Sequence, residues 1–324
     1  MLETLWEYAR ERLDASAEAG VLRRAHAAYF LSLAYQAERH FFGAEQGLWL
    51  DRIESELDNI RAALAWSKAS AEDRAIGLRL AGLLWRFWEM RGYITEGRTW
   101  LEGLLVARHT LPREAIWFAL HTAGNLADDQ DDYVQAEQYW QECLAICREL
   151  GNRTFIGHML NNLGNLATAQ GQYDLAISRY EEAFPIYREI GNRWAYGLAT
   201  GNLAWALHMR GDYVRARELY GEALGVMRER NDQRSIANVL CGLGAIAHDL
   251  GELGEAERLF EESRGLHETL GSKPGLATVL TNLGALAWRQ GNLDRAENVL
   301  QASLALQQSL GSRVGIAQAT LLLA

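Results

Sequence analysis

Asparagine recurs in this chain at a fixed interval. Asn162, Asn202 and Asn282 share one 40-residue register, with Thr122 and Gly242 in its other places, and Asn125 and Asn165 share a second. A primary amide both donates and accepts, so a ladder of amides can grip an extended peptide backbone without reading its sequence. The same amides can instead bridge neighbouring helices and tighten a stack, and the residues alone leave both readings open. His208 and His248 share a third register, which suits a metal or pH-sensitive pair or two solvated histidines. Cys143 and Cys147 lie one helical turn apart. With no further ligands nearby they read as buried small residues rather than a metal or redox pair. The strings H-E-x-x-H and G-x-S-x-G do not occur, nor does a zinc-spaced cysteine cluster. No catalysis is expected of this chain, and no metal.

The elements that position these residues follow from one stretch, Asn161 to Ala183. Counting from Gly164, its small residues stand at 0, +12 and +19 and its large ones, Tyr173 and Tyr180, at +9 and +16. Small residues let two helices approach closely, and large ones fill the space between layers. The frame repeats every 40 residues: Gly124, Gly164, Ala204, Gly244 and Gly284 form one column, and Ala136, Ala176, Ala216, Ala256 and Ala296 another. Such self-similarity marks a solenoid. First helices are expected from near Pro112, Asn152, Asn192, Asp232 and Ser272. Breakers follow them at Asp131, Gly171, Gly211, Gly251 and Gly291, and follow the second helices at Gly151, Gly191, Asn231, Gly271 and Gly311. A residue past a helix end often takes the left-handed conformation, which Gly tolerates best and Asn next. Asp131 is the weaker fit. Pro112 and Pro274 suit a first helical turn, and Pro185 predicts a kink inside a second helix.

The totals narrow the function. A chain of 324 residues with 49% apolar and 23% charged side chains suits one long repeat array or more than one domain. A net charge of −10 argues against a large nucleic-acid footprint. No run of about 18 apolar residues is long enough to span a membrane. The opening segment LETLWEYARERL is charged and amphipathic, not a signal peptide. Three cysteines suit a reducing, cytoplasmic setting.

Ahead of the regular repeats lies a helical arm, residues 1–71. It holds an amphipathic helix to about residue 18 carrying Leu2, Leu5, Trp6, Ala9 and Leu13, a second helix from about Val21 to His40 ended by Gly43, and a third over Trp49–Ser67. Trp49, Ile53, Leu57, Ile60 and Leu64 make the third helix's stripe. Residues 72–111 read as a degenerate first repeat, in which Leu84, Glu96 and Gly103 occupy the small-residue columns. Trp66, Trp85, Trp88, Trp100 and Trp117 crowd this junction as core or as a contact surface. The chain stops at Ala324 inside what reads as a further first helix, as a fragment or a chain covered by a neighbour would.

The column pattern over residues 112–324 resembles the tetratricopeptide repeat, with a longer period than the usual ~34 residues. The resemblance implies an all-α, right-handed superhelical solenoid of antiparallel helix pairs, preceded by the small helical arm. The segments LETLWEYARERL, RRAHAAYFLSLA and WLDRIESELDNIRAALAW, within residues 1–105, are similar to the region after the winged-helix part of MalT-like signal-transduction ATPases with numerous domains (STAND). That resemblance implies an arm and sensor cut from a larger regulator. The phosphate-binding string G-x-x-x-x-G-K-[ST] does not occur, so no cofactor is expected here and ATP or ADP is implied for an absent upstream domain.

In this repeat type the first helices wall a concave groove, and the resemblance places Asn125, His158, Asn162, Asn165, Asn202, Trp205, His208, His248, Asp249, Asn282, Trp288 and Arg289 along it. The tryptophans would anchor apolar groups, and Arg289 and Asp249 would supply charge. The implied role is an effector-sensing, autoinhibitory module. Its partner would be a peptide, protein or small molecule. It would also contact upstream nucleotide-binding and winged-helix domains, with no direct nucleic acid and no membrane. The rival is a constitutive interaction scaffold. Paired carboxylates such as Glu261-Glu262 read as solvated faces.

Overall fold

The computed structural model describes residues 8, 12, 16–41, 45–310 and 312–323, and among these there is no strand. The expected stripe of Leu2, Leu5, Trp6, Ala9 and Leu13 lies outside the described residues, as do Gly43, Gly311 and Ala324. The chain divides into two compact units, Met1–Met159 and Leu160–Ala324.

In the first unit α1 (Ala19–Glu38) buries Ala27, Phe30, Leu33, Ala34 and Ala37. The single helix expected over Trp49–Ser67 is two, α2 (Gln46–Ser55) and α3 (Leu57–Trp66), divided at Glu56 with φ −102° and ψ 8°. Their common stripe survives the break, for Ile53, Leu57, Ile60 and Leu64 are all buried. Trp49 is only half-buried, and its ring stacks on His40 at 4.9 Å. Then come α4 (Ala71–Leu83), α5 (Trp85–Met90) and α6 (Ile94–Leu105), a 3₁₀ turn at Arg108–Thr110, and α7 (Arg113–Asp128) with α8 (Tyr133–Glu149).

The degenerate repeat keeps the frame but slips by one residue. Thr122 Oγ1 donates to the carbonyl of Gly82, 40 places back, at 3.3 Å, so the register holds there. Beyond the break at Leu84 the left-handed residue is Gly92 (φ 77°), one place after the Arg91 the register gives. Likewise Gly97, not Glu96, is the close-approach position: a Cβ added there would lie 2.4 Å from the Trp88 ring. One extra residue between Leu84 and Gly92 accounts for the poor column match. Of the five crowded tryptophans only Trp88 is fully buried, and its Nε1 donates to the Ala81 carbonyl at 3.0 Å.

The regular pairs continue with α9 (Arg153–Ala169), α10 (Tyr173–Glu189), α11 (Arg193–Arg210), α12 (Tyr213–Glu229), α13 (Gln233–Asp249), α14 (Leu253–Thr269), α15 (Lys273–Arg289), α16 (Leu293–Leu310) and α17 (Arg313–Leu323). Every described breaker has positive φ, including Asp131 at 59° and Asn231 at 55°. The next residue turns back into the ended helix, as where the Gln172 amide bonds the Ala167 carbonyl at 2.8 Å. It can also cap the following helix: the side chains of Asp132, Asn192, Asp212 and Asp232 each accept from a first-turn amide. Pro112 stands just before α7, and Pro274 in the first turn of α15. Pro185 is exposed within α10, which runs through it, so the carbonyl that loses its partner can turn to water.

Within the second unit each hairpin closes on one contact. A Cβ added at Gly164 would lie 2.6 Å from the Tyr180 ring, at Gly244 2.7 Å from Phe260, and at Gly284 2.5 Å from Leu300. The exception is instructive. Ala204 holds the glycine place in the third hairpin, and there Tyr220, sharing a core with Ala204, also presses on the next first helix, 2.3 Å from where a Gly242 Cβ would be. Successive first helices α11, α13, α15 and α17 touch one another, whereas successive second helices make no comparable contact. The first helices are therefore the closely spaced inner row. Glu261, expected in a solvated face, is half-buried and bridges to Arg295 at 3.1 Å and Arg264 at 2.9 Å.

Gly164→Leu is expected to cost about 1–3 kcal/mol in urea denaturation, and less when Tyr180 is already alanine. Asp131→Gly relieves a left-handed aspartate and is expected to raise stability by up to ~1 kcal/mol in the same assay.

Candidate functional site

The inner row of the second unit is built from four registers of the first helices, and they do different things. In the register of Asn162, Asn202 and Asn282 the side chains lie in seams. Asn202 on α11 donates from Nδ2 to Asn161 Oδ1 at 3.2 Å and Asn165 Oδ1 at 3.0 Å, both on α9. Asn282 on α15 donates to Cys241 Sγ on α13 at 3.2 Å. Each reaches back to the preceding first helix. Gly242 has no side chain to offer, because Tyr220 fills its seam. Asn162 is half-buried and also has a partner.

The register of Asn165 and Trp205 changes character along the chain. Asn165 is exposed, yet its Oδ1 accepts from Tyr180 at 2.7 Å as well as from Asn202. Burial pushes the Tyr180 phenol up to about 12, so it remains a donor. Trp205 follows, 42% exposed, then the half-buried Ala245 and Ala285.

His208 and His248 converge on one carboxylate. His208 Nε2 lies 2.8 Å from Asp249 Oδ2, tying α11 to α13, and His248 Nδ1 lies 3.1 Å from Asp249 Oδ1. Burial by itself would raise the Asp249 carboxyl; the two imidazole donors outweigh it and hold the group below the usual carboxylate range. His208 is buried, which corrects the reading of two solvated histidines, and its ring meets Trp205 edge-on at 5.5 Å. Among the described residues no cluster of three or more His, Cys, Asp or Glu is arranged to hold a metal ion. Cys143 and Cys147 are free and buried, with Sγ atoms 3.9 Å apart.

Towards the ends of the same helices the surface opens. Met209 is 43% and Trp288 62% exposed, and Asp249 and Arg289 are exposed as well. Arg289 Nη1 donates to the His248 carbonyl at the end of α13. The guanidinium thus caps a helix C-terminus.

In the first unit Asn125 accepts from Trp140 Nε1 at 3.2 Å, the counterpart of Asn165 and Tyr180 one repeat on. His158 belongs to an aromatic cluster. Its ring lies 5.3 Å from Phe155, which packs edge-on against Trp117 at 4.4 Å and His121 at 5.3 Å. Burial, and secondarily His158, pushes the His121 imidazole down to about 4.

The twelve residues expected on one wall divide between contact and seam. The structure brings Trp205, His208, His248, Asp249 and Arg289 together through direct contacts, with Trp288 beside Arg289 in sequence. It sets Asn202 and Asn282 into seams. Two participants were missed. Asn161 is the Asn202 acceptor, and its signal was the doubled asparagine at 161–162. Met209 shares the Asp249 register and joins the exposed apolar surface.

The tetratricopeptide repeat family profile matches residues 118–189, 155–229 and 235–309, together more than half of the chain. Proteins named as HTH-type transcriptional regulators, from Mycobacterium bovis and Mycobacterium tuberculosis, are 37% identical over 105 residues, 32% of this chain. The matched stretch spans 12% of the length of those curated relatives. Among solved structures, a Rap protein complexed with Competence and Sporulation Factor superposes with a TM-score of 0.69 at 14% identity, covering 91% of this chain and 80% of that one. NprR in complex with its cognate peptide NprX gives 0.65 at 16% identity, covering 91% and 82%. Apo NprR from B. thuringiensis gives 0.64 at 15%, covering 95% and 81%. At these identities the likeness is one of fold.

The His121 ring sets a pH dependence. Its neutral form is favoured in the fold, so the unfolded chain binds more protons between 6.5 and about 4. The stability it supports is whole above pH 6.5 and declines as pH falls through that window. His121→Gln is expected to flatten the urea midpoint against pH there, as read by circular dichroism.

Proposed function

The chain belongs to the tetratricopeptide repeat family, and we propose that it is the ligand-sensing, autoinhibitory repeat region of a STAND-type signalling ATPase that regulates transcription. The observation that carries the reading is the pair of large indoles, Trp205 and Trp288, exposed on the inner row at 42% and 62%. Exposed apolar surface rimmed by polar groups marks a binding face. Two likenesses support it: the shared stretch with HTH-type regulators, and the shared fold with a Rap protein solved with Competence and Sporulation Factor and with NprR solved with its cognate peptide NprX.

The effector in this reading is a peptide, protein or small molecule seated on the inner row. Binding switches the parent only if it favours one arrangement of arm and repeats over another. Moving such a switch from 1:99 to 99:1 takes about 5.5 kcal/mol of differential affinity. The repeats do no chemistry. ATP or ADP would be held by an upstream domain, which the arm contacts together with a winged-helix domain. DNA contact would fall to another part of the parent, consistent with a net charge of −10 here. No helix among the described residues is long and apolar enough to cross a membrane, and we place the protein in the cytoplasm.

The rival reading is a constitutive scaffold, and one experiment separates the two. In the full-length parent, an effector fraction from native cell extract should raise ATP loading or oligomerisation. Trp205→Ala with Trp288→Ala should abolish that response while leaving the far-ultraviolet spectrum and melting temperature unchanged. Asn202 is unsuitable for this test because it ties α9 to α11. Equal effector binding to the nucleotide-free and ATP-loaded parent would favour the scaffold.

A further inference from the structure

We infer that the inner row of the second unit takes a peptide segment presenting a bulky apolar side chain next to a carboxylate. The inference rests on the proposed receptor reading of this row and names the chemistry of its occupant.

The apolar part comes from the register of Trp205. On α9 that place is Asn165, but on α13 and α15 it is Ala245 and Ala285, both half-buried. The alanines form a low floor. Trp205 flanks it on α11, with Met209 exposed one turn further along that helix at 43%, and Trp288 rises one turn beyond Ala285 on α15. A floor of methyl groups between two exposed indoles suits a leucine- or phenylalanine-sized side chain and offers little to a polar one.

The charged part comes from Arg289. It is the only lysine or arginine in the inward registers of α9, α11, α13 and α15. Most arginines nearby are satisfied by acids: Arg210 by Asp174 at 3.0 Å, Arg217 by Glu252, and Arg295 by Glu257 and Glu261. Arg289 has no carboxylate within ion-pair distance among the described residues. It gives one N–H to the His248 carbonyl and keeps further donors in a planar fork. A fork of that kind matches a carboxylate with two parallel bonds. Asp249, exposed in the same register on α13, stays charged, and its carboxylate is turned to two imidazoles rather than to the Arg289 fork. Both its oxygens are already engaged, by His208 and His248.

The test uses end-blocked hexapeptides Gly-Ala-Leu-Glu-Ala-Gly, its Gln and Lys counterparts, and Gly-Ala-Ala-Glu-Ala-Gly. These are titrated into the whole 324-residue chain labelled with ¹⁵N at tryptophan. The indole signals of Trp205 and Trp288 are assigned with Trp205→Phe and Trp288→Phe. The Leu-Glu peptide should move both signals with an affinity about tenfold above the Leu-Gln peptide, as one added charge-assisted bond gives. The Lys and Ala-Glu peptides should be weaker still. Arg289→Gln should erase the preference for Glu, bringing the Leu-Glu and Leu-Gln affinities together. Equal movement by the Glu, Gln and Lys peptides overturns the acidic partner and leaves the row a binding surface. Preference for Glu that persists in Arg289→Gln overturns the role of Arg289. Silence of both indoles to every peptide overturns the inference and removes the row from binding altogether.

Discussion

The architecture rests on one steric contact: a residue without a side chain on a first helix, met by a large side chain on the second. Gly164 against Tyr180, Gly244 against Phe260 and Gly284 against Leu300 all leave less than 3 Å for an added Cβ. That closeness fixes the angle and spacing of each hairpin. It also fixes which positions on the first helix face inward, because the face opposite the second helix is then determined. The Asn, Trp, His and charged side chains of the inner row are consequences of this packing. The same contact orders the polar groups around it, since the Tyr180 hydroxyl reaches over Gly164's helix to Asn165.

A second constraint divides the inner row into parts that hold and parts that are offered. Amides in the Asn202 register are spent on the preceding helix, and the histidines on Asp249. Apart from Asn165, what remains exposed in these four registers is aromatic, apolar or charged and sits in the C-terminal half of each helix. Neighbouring first helices share apolar core, as Ile236 and Leu240 do with Val279, Leu283 and Leu286, and the amides add polar ties between them. The polar residues best able to grip a peptide backbone are also those best able to make such ties.

Most of the fold was legible in the sequence because it depends on residue size at fixed intervals. The glycine and alanine columns, the left-handed breakers and the caps are local decisions, and each left a direct mark. The degenerate repeat was harder to read. One extra residue near Leu84 displaced Gly92 and Gly97 from their columns, and a fixed-interval comparison cannot see a slip. The division of the Trp49–Ser67 helix at Glu56 left no mark either, since its stripe of buried residues is continuous across the break. For the site, the sequence marks the registers but not the reach of each side chain. Whether Asn202 extends to solvent or to Asn161 depends on how near the neighbouring helix stands, a tertiary distance that no single repeat encodes.

The exchange made in the third hairpin has a consequence for how such an array changes over generations. Tyr220 shares a core with Ala204 on its own partner helix, and its ring also reaches Gly242 in the following repeat, where an added side chain would collide with it. Three positions on two successive units are thereby coupled by packing. Duplication or loss of a unit between them would set a tyrosine against an asparagine, or leave a glycine facing nothing. The array looks modular along its length, yet at this joint its heritable block is larger than one hairpin.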